Sequence, residues 1–304
     1  MNTSGGGDHA AWSARVESLP PAKRALLDEL RRRQVLAAGK AEFADVAWLR
    51  RDGQDQRDPV VLAHPIGGGL FCYRELVLAL PGAFPVVGVG AGRALAVPAE
   101  VTIEDLARHD AVRVAEDHVR RPAVIAGWSF GGLLAYELAR HWHRSSGLRP
   151  PVVLIDSVVA PPGEAAPDDG ATTRMFAEYL LGLAGLTSAA AFDQETWQLP
   201  VEEALAATAS QLRGHGLDLG LTAEELRRRY WMFANAARAM SRYQPAGYPG
   251  RVVLIRTEEA AQTAGPWPAA GNITTIDVSG DHYGVLRPPV VAQVADLIAS
   301  NTAS

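Results

Sequence analysis

Between Pro59 and Val278 short apolar, β-branched runs alternate with longer stretches of helical pattern, and this rhythm limits the fold more than any other feature of the chain. The runs are Val60–Ala63, Pro85–Val89, Ala123–Ala126, Val152–Ile155, Val252–Ile255 and Ile273–Val278. Between several of them lie Leu70–Leu80, Thr102–His118 and Phe130–His143. Strands joined by helices read as a mostly parallel sheet with helices on both faces, an α/β fold. Thr102, with Asp105 three residues on, fits a helix N-terminus. The rhythm breaks between Asp156 and Arg251, where a Pro/Gly/Asp-rich loop (160–170) precedes three helical segments near Thr172–Leu186, Pro200–Arg213 and Thr222–Tyr243. Such an insertion, about 160–245, reads as a helical lid over the C-terminal edge of the sheet, where α/β folds hold their ligands.

The first fifty residues follow another pattern. Pro20-Pro21 can open a helix, and Leu26, Leu27, Leu30 and Val35 fall on one side of it, so residues 1–50 read as an arm with a short amphipathic helix and residues 51–304 as the main domain. Length (304 residues) and 48% hydrophobic content allow a large core. A net charge of −5, with Lys and Arg scattered among acids, offers no basic face for nucleic acid. Met1–Asp8 has no apolar core of a signal peptide, and no eighteen apolar residues run together, so no membrane partner is expected. Cys72 is the one cysteine, which excludes an internal disulfide; the expected compartment is the cytoplasm.

Gly127-Trp128-Ser129-Phe130-Gly131 matches G-x-S-x-G and sits between the apolar run 122–126 and the helix-forming Leu133–Arg140. A strand-turn-helix in that position puts a serine on a sharp bend with its Oγ exposed, and small neighbours let strand and helix approach. A serine needs a base to take its proton and a carboxylate to orient that base, in the chain order Ser, acid, His for this architecture. His282, in Ser279-Gly280-Asp281-His282-Tyr283-Gly284 after the last strand run, fits the base; His215 falls between lid segments. Asp156, alone at the tip of Val152–Ile155, is favoured as the acid over Glu258 and Glu259, one strand later; Asp277 and Asp281 stand too close to His282. Donors for the oxyanion are expected from the backbone N–H of Phe130 and, in the loop His64-Pro65-Ile66-Gly67-Gly68-Gly69, that of Ile66. His64 reads as a brace for that loop.

Taken in order, Leu62–Gly69, Tyr73-Arg74-Glu75-Leu76, Gly127–Gly132, Ile155-Asp156-Ser157, Tyr243-Gln244-Pro245 and Gly280–Tyr283 resemble the thioesterase domains that end modular polyketide and nonribosomal peptide synthetases, over nearly all of residues 59–300. The resemblance implies an α/β-hydrolase fold, an acid at Asp156, and a substrate delivered as a thioester on the phosphopantetheine of an acyl or peptidyl carrier protein, with no cofactor or metal in the domain itself. It also implies an acyl-Ser129 intermediate opened by water or, with macrocyclisation, by an internal nucleophile. No Gly-Gly-x-Ser segment of carrier type precedes residue 59, so the carrier is expected on another chain or upstream, and residues 20–36, with Arg31-Arg32-Arg33, offer a docking arm. Two alternatives stand beside this reading: a stand-alone editing thioesterase or ordinary esterase, and a non-catalytic relative that only binds.

Other signals carry less. Gly88–Arg93 lacks the G-x-G-x-x-G spacing of a dinucleotide loop, His141 and His143 cannot share a helix face as metal ligands, and Asn272-Ile273-Thr274 matches a glycosylation sequon. Phe176, Tyr179, Trp197, Tyr230, Trp231 and Phe233 could line an acyl tunnel in the lid, although an aromatic stripe at helical spacing is more often core.

Overall fold

The computed structural model of the chain describes residues 46–51, 57–82, 84–92, 99–117, 119–183, 192–214, 220–263, 267 and 272–302. Seven strands form one sheet: β1 (Val46–Arg50), β2 (Val60–Ala63), β3 (Val86–Val89), β4 (Val124–Trp128), β5 (Val152–Ile155), β6 (Val252–Thr257) and β7 (Ile273–Val278). Their order is β1-β3-β2-β4-β5-β6-β7, parallel throughout except for β1 on β3. Every residue of β2 and β5 is fully buried, because alternate side chains leave the strand on opposite faces and both faces are covered. Val61, Ala63, Ile125, Val152 and Leu154 meet helices α2 (Ile103–Glu116) and α3 (Phe130–Ser146). Val60, Leu62, Val124, Val153 and Ile155 meet α1 (Arg74–Ala79) and α8 (Val290–Ser300) on the other face.

The boundary at residue 51 moves. Val46–Arg50, assigned by sequence to the arm, is the antiparallel edge strand of the sheet, with Val46 opposite Val89 and Trp48 opposite Val87. All five residues are only partly buried, so the segment lacks the apolar run that marks the inner strands. Arg50 anchors it: the guanidinium donates to the carbonyls of Val77, Leu80, Pro81 and Phe84 at 2.7–3.0 Å, which satisfies acceptors left over at the end of α1. The helix expected near residues 20–36 lies outside the described residues.

Between β5 and β6 the lid carries α4 (Asp169–Leu183), α5 (Val201–Gly214) and α6 (Ala223–Arg242), each within three residues of its expected bounds. Thr222 and Glu225 close a reciprocal capping box at the start of α6. These helices build a core of their own around Phe176, Leu180, Leu205, Leu212, Tyr230 and Phe233. Polar ties hold the lid at its base: Gln244 donates to the Ala160 carbonyl at 3.0 Å, Arg238 pairs with Asp169 at 3.0 Å, and the Tyr243 hydroxyl donates to Glu137 of α3 at 2.8 Å. Glu137 is buried and also receives Arg140 at 2.6 Å on both oxygens. A short helix, α7 (Glu258–Thr263), follows β6.

Candidate active site

Ser129 is the single residue between β4 and α3, at φ 57° and ψ −124°. A non-glycine residue held there stores roughly 1–3 kcal/mol, so the surroundings must enforce it. They do so by close packing: a β-carbon on Gly127 would overlap the Gly131 backbone, and one on Gly131 would press on the Ala63 and His64 carbonyls. The Ser129 N–H continues the ladder to Ile155 O at 2.9 Å, and the Gly132 N–H donates back to Ser129 O at 3.0 Å. Phe130 opens α3, so its N–H belongs to the first turn, where helices have donors to spare.

The tip of the neighbouring strand is bent the same way. Asp156, at φ 47°, is 4% exposed and is the second non-glycine residue at positive φ among the described residues. Its Oδ2 lies 2.7 Å from His282 Nδ1, and its Oδ1 accepts the Thr257 N–H at 2.8 Å. Burial alone would push this carboxyl up, yet the bond to His282 and the Thr257 N–H outweigh it and hold Asp156 below the usual carboxylate range. A carboxylate on Nδ1 assigns that nitrogen the hydrogen and leaves Nε2 as the basic atom. Glu259, by contrast, meets His282 at its backbone, whose N–H lies 3.4 Å from Oε2, and Glu258 begins α7.

Ser129 and His282 line one cavity of about 210 Å³ with Pro65, Ile66, Trp128 and Tyr283 below and Met175, Glu178, Tyr179, Phe233 and Met240 of the lid above. Pro65 and Ile66 bring the loop after β2 to its edge, and Gly68, at φ 78°, turns that loop through an N–H bond to Pro65 O at 2.8 Å. His64 is 1% exposed; burial drives its pKa down to about 4, so it stays neutral and donates Nδ1–H to the Pro65 carbonyl at 2.9 Å. That is a brace, as its position in the sequence suggested. Among the described residues no group of three or more His, Cys, Asp or Glu is placed to hold a metal ion.

A family model described as Thioesterase domain matches residues 58–249. The chain belongs to the thioesterase domain family. This thioesterase domain therefore has the α/β-hydrolase fold of a serine hydrolase acting on thioesters. It is 24% identical over 282 residues to a dimodular nonribosomal peptide synthase of Bacillus subtilis (strain 168), a match covering 87% of this chain and 11% of the synthase. Among solved structures it is similar to a four-domain nonribosomal peptide synthetase bound to AMP and glycine (TM-score 0.72, 24% identity, 84% of this chain and 20% of that one). The Vlm2 thioesterase domain (TM-score 0.55, 24% identity, 84% and 96% covered) and the NocB thioesterase domain in covalent complex with a fluorophosphonate nocardicin G analog (TM-score 0.59, 20% identity, 84% and 98%) are also similar. The chain thus spans about a tenth of the synthase and a fifth of the synthetase it resembles.

Tyr73 and Trp128 fall in the motifs that carry the resemblance, but the contacts they make in the thioesterase site left no readable signal in the sequence. Tyr73, fully buried, ties two strand tips together: its hydroxyl donates to Ala63 O at 2.6 Å and accepts the Trp128 N–H at 2.8 Å. The Trp128 indole N–H donates to the His282 carbonyl at 3.0 Å, and its ring lies against the His282 ring, centroids 4.9 Å apart. The aromatic stripe, for its part, divides. Tyr179 and Phe233 belong to the lid core and also face the cavity, Phe176 and Tyr230 are fully buried behind them, Trp197 packs on Phe192, and Trp231 sits against Tyr230 and Arg238. Gly88 is a β3 residue paired with Ala47 and Leu62, not part of a phosphate loop. His215 lies outside the described residues. No described helix is long and apolar enough to cross a membrane.

Proposed function

We propose that this domain releases an acyl or peptidyl chain from the phosphopantetheine thioester of a carrier protein, on another chain or upstream, through an acyl-Ser129 intermediate. The observation that carries the reading is the 2.7 Å bond from Asp156 to His282 Nδ1 beside Ser129 in one cavity. His282 Nε2 takes the Ser129 proton as Oγ attacks the thioester carbon, and the N–H groups of Phe130 and Ile66 receive the developing oxyanion. The tetrahedral intermediate collapses, the sulfur leaves as a thiol with the proton from His282, and the acyl group stays on Ser129. Water, or an amine or hydroxyl of the chain itself, then attacks with His282 again as base, which yields the acid or a macrocycle. No cofactor is needed beyond the carrier's arm, and a reducing, cytoplasmic setting suits both the thiol product and the single cysteine.

The similar synthase and synthetase support a multidomain setting, and a fluorophosphonate has been trapped on the similar NocB domain. The same reagent tests this chain. Intact-mass analysis should show one phosphonyl adduct on the wild type and none on Ser129→Ala; an unlabelled wild type, or a labelled variant, would refute the assignment.

A second reading is removal of short acyl units by an editing enzyme acting through the same Ser129, Asp156 and His282. Turnover of acetyl and propionyl thioesters faster than long-chain ones would decide for it.

A further inference from the structure

One helix of the lid touches both loops that complete the proposed site. On the β2 side, three successive residues meet the lid. Ile66 packs against the lid core, a β-carbon on Gly67 would overlap the Tyr179 hydroxyl of α4, and one on Gly68 would overlap the end of Met232 of α6. On the other side, Gly182 lies three residues after Tyr179 and hence on the same face of α4. A β-carbon there would overlap the ring of Tyr283, the neighbour of His282, and Arg287 donates to the Gly182 carbonyl at 3.2 Å. Tyr283 in turn stands edge-on to His282 at 5.4 Å and to Trp128 at 5.7 Å.

We propose that α4 is the spacer between the oxyanion loop and the histidine loop, with Tyr179 and Tyr283 as positioning residues at its two contacts. The inference rests on the roles given above to Ser129, His282 and the Ile66 N–H. Residues 67–69 are three glycines, so this loop brings almost no side chains of its own to hold it, and an effective donor must stand about 2.7–3.1 Å from the position of the oxyanion. Displacement of a positioned group by about 1 Å can cost up to a hundredfold in rate. Tyr179 supplies the missing contact where it presses on Gly67. Because Tyr179 also walls the cavity, its part in positioning must be separated from any part in binding.

The test is a cycle on Tyr179→Leu, Gly67→Ala and the double variant, assayed by thiol release from hexanoyl-N-acetylcysteamine, with Tyr179→Phe as the conservative change. Each single variant should lower kcat about tenfold with KM within about twofold, since only the donor's placement changes. The double variant should be no slower than the slower single one, because the methyl added at position 67 fills the space the hydroxyl vacated. Tyr179→Phe should keep most of the activity, and affinity for hexylboronic acid, a tetrahedral mimic, should fall in step with kcat while hexanoate binding holds. Single effects that multiply in the double variant, or a loss confined to KM, would overturn the spacer. If Tyr179→Leu does not fold, Tyr179→Phe placed in the Gly67→Ala background decides: removing the hydroxyl nearest the added methyl should restore part of the lost kcat, and an unchanged rate would overturn the spacer. A wild type that a fluorophosphonate does not label at Ser129 removes the underlying reading and the spacer together; labelling without coupling removes the spacer alone.

Discussion

The sheet edge and the lid place their side chains by different means. At the edge, Ser129 and Asp156 leave adjacent strands at positive φ, fixed by backbone hydrogen bonds and by glycines that admit no β-carbon. The lid gathers its aromatic residues around a core of its own and meets the rest of the molecule through polar ties at its base and side-chain contacts over the cavity. Groups to which the proposed mechanism gives the chemistry are thus set by main-chain geometry, whereas groups that shape the chamber are set by packing, which tolerates exchange. Chemistry should accordingly be brittle at the edge and graded in the lid.

The sharpest test of that contrast is Ser129 itself. Ser129→Ala should reduce thioester turnover by about 10⁴-fold or more, and Ser129→Gly should do the same while gaining roughly 1 kcal/mol in urea unfolding as the φ 57° strain is released. Next comes Asp156→Asn, expected to lower kcat about 10⁴-fold by offering His282 the wrong tautomer, while Glu258→Gln leaves turnover where it was. Equal losses in the two would break the assignment.

At the base of the lid, Glu137→Ala strips Arg140 and Tyr243 of their shared partner and should cost about 3 kcal/mol in denaturant unfolding, since it leaves a cation near the interior unpaired. A cost near zero would mean that the lid is held by its apolar contacts alone. The edge also predicts a pH response of similar size. The folded chain keeps His64 neutral down to about pH 4, while the unfolded chain takes up a proton near 6.5. Stability from this residue is therefore complete above pH 6.5 and is lost as pH falls toward 4, about 3 kcal/mol in all. Unfolding curves across that range should show the loss, and His64→Gln should flatten it. The smallest effect belongs to a lid wall: Met240→Ala should move acyl-chain preference, read as kcat/KM for hexanoyl against acetyl thioesters, by about tenfold. A lid-wall change as costly as Asp156→Asn would erase the distinction between the two regions.

What could be read from the sequence follows the same division. Strands buried on both faces announce themselves as unbroken apolar runs, so β2 to β6 were legible, β7 showed through its β-branched residues although most of it is not buried, and the lid helices and the order Ser129, Asp156, His282 followed from helical pattern, motif and chain order. Edge strand β1 was not, because Val46–Arg50 is half-exposed and carries no run to notice. Nor were the contacts that hold the site. Tyr73 under Trp128, Thr257 on Asp156 and Tyr179 over Gly67 join segments 55, 101 and 112 positions apart, and a single long-range contact leaves no periodic trace. How the aromatic stripe divides between core and cavity wall was open for a related reason: spacing reports which residues share a helix face, not which neighbour that face meets.

Gln244 and Ala160 hold the entry and exit of the insertion side by side. For a chain that leaves and returns at nearly the same point, the entropy of closing the excursion grows only logarithmically, about 0.6 kcal/mol for each doubling of its length. The strands on either side therefore register little of how long the detour is or what it contains. Residues could be gained, lost or replaced wholesale above that clasp while Ser129 and Asp156 kept their places, so new cargo could be accommodated without reworking the chemistry.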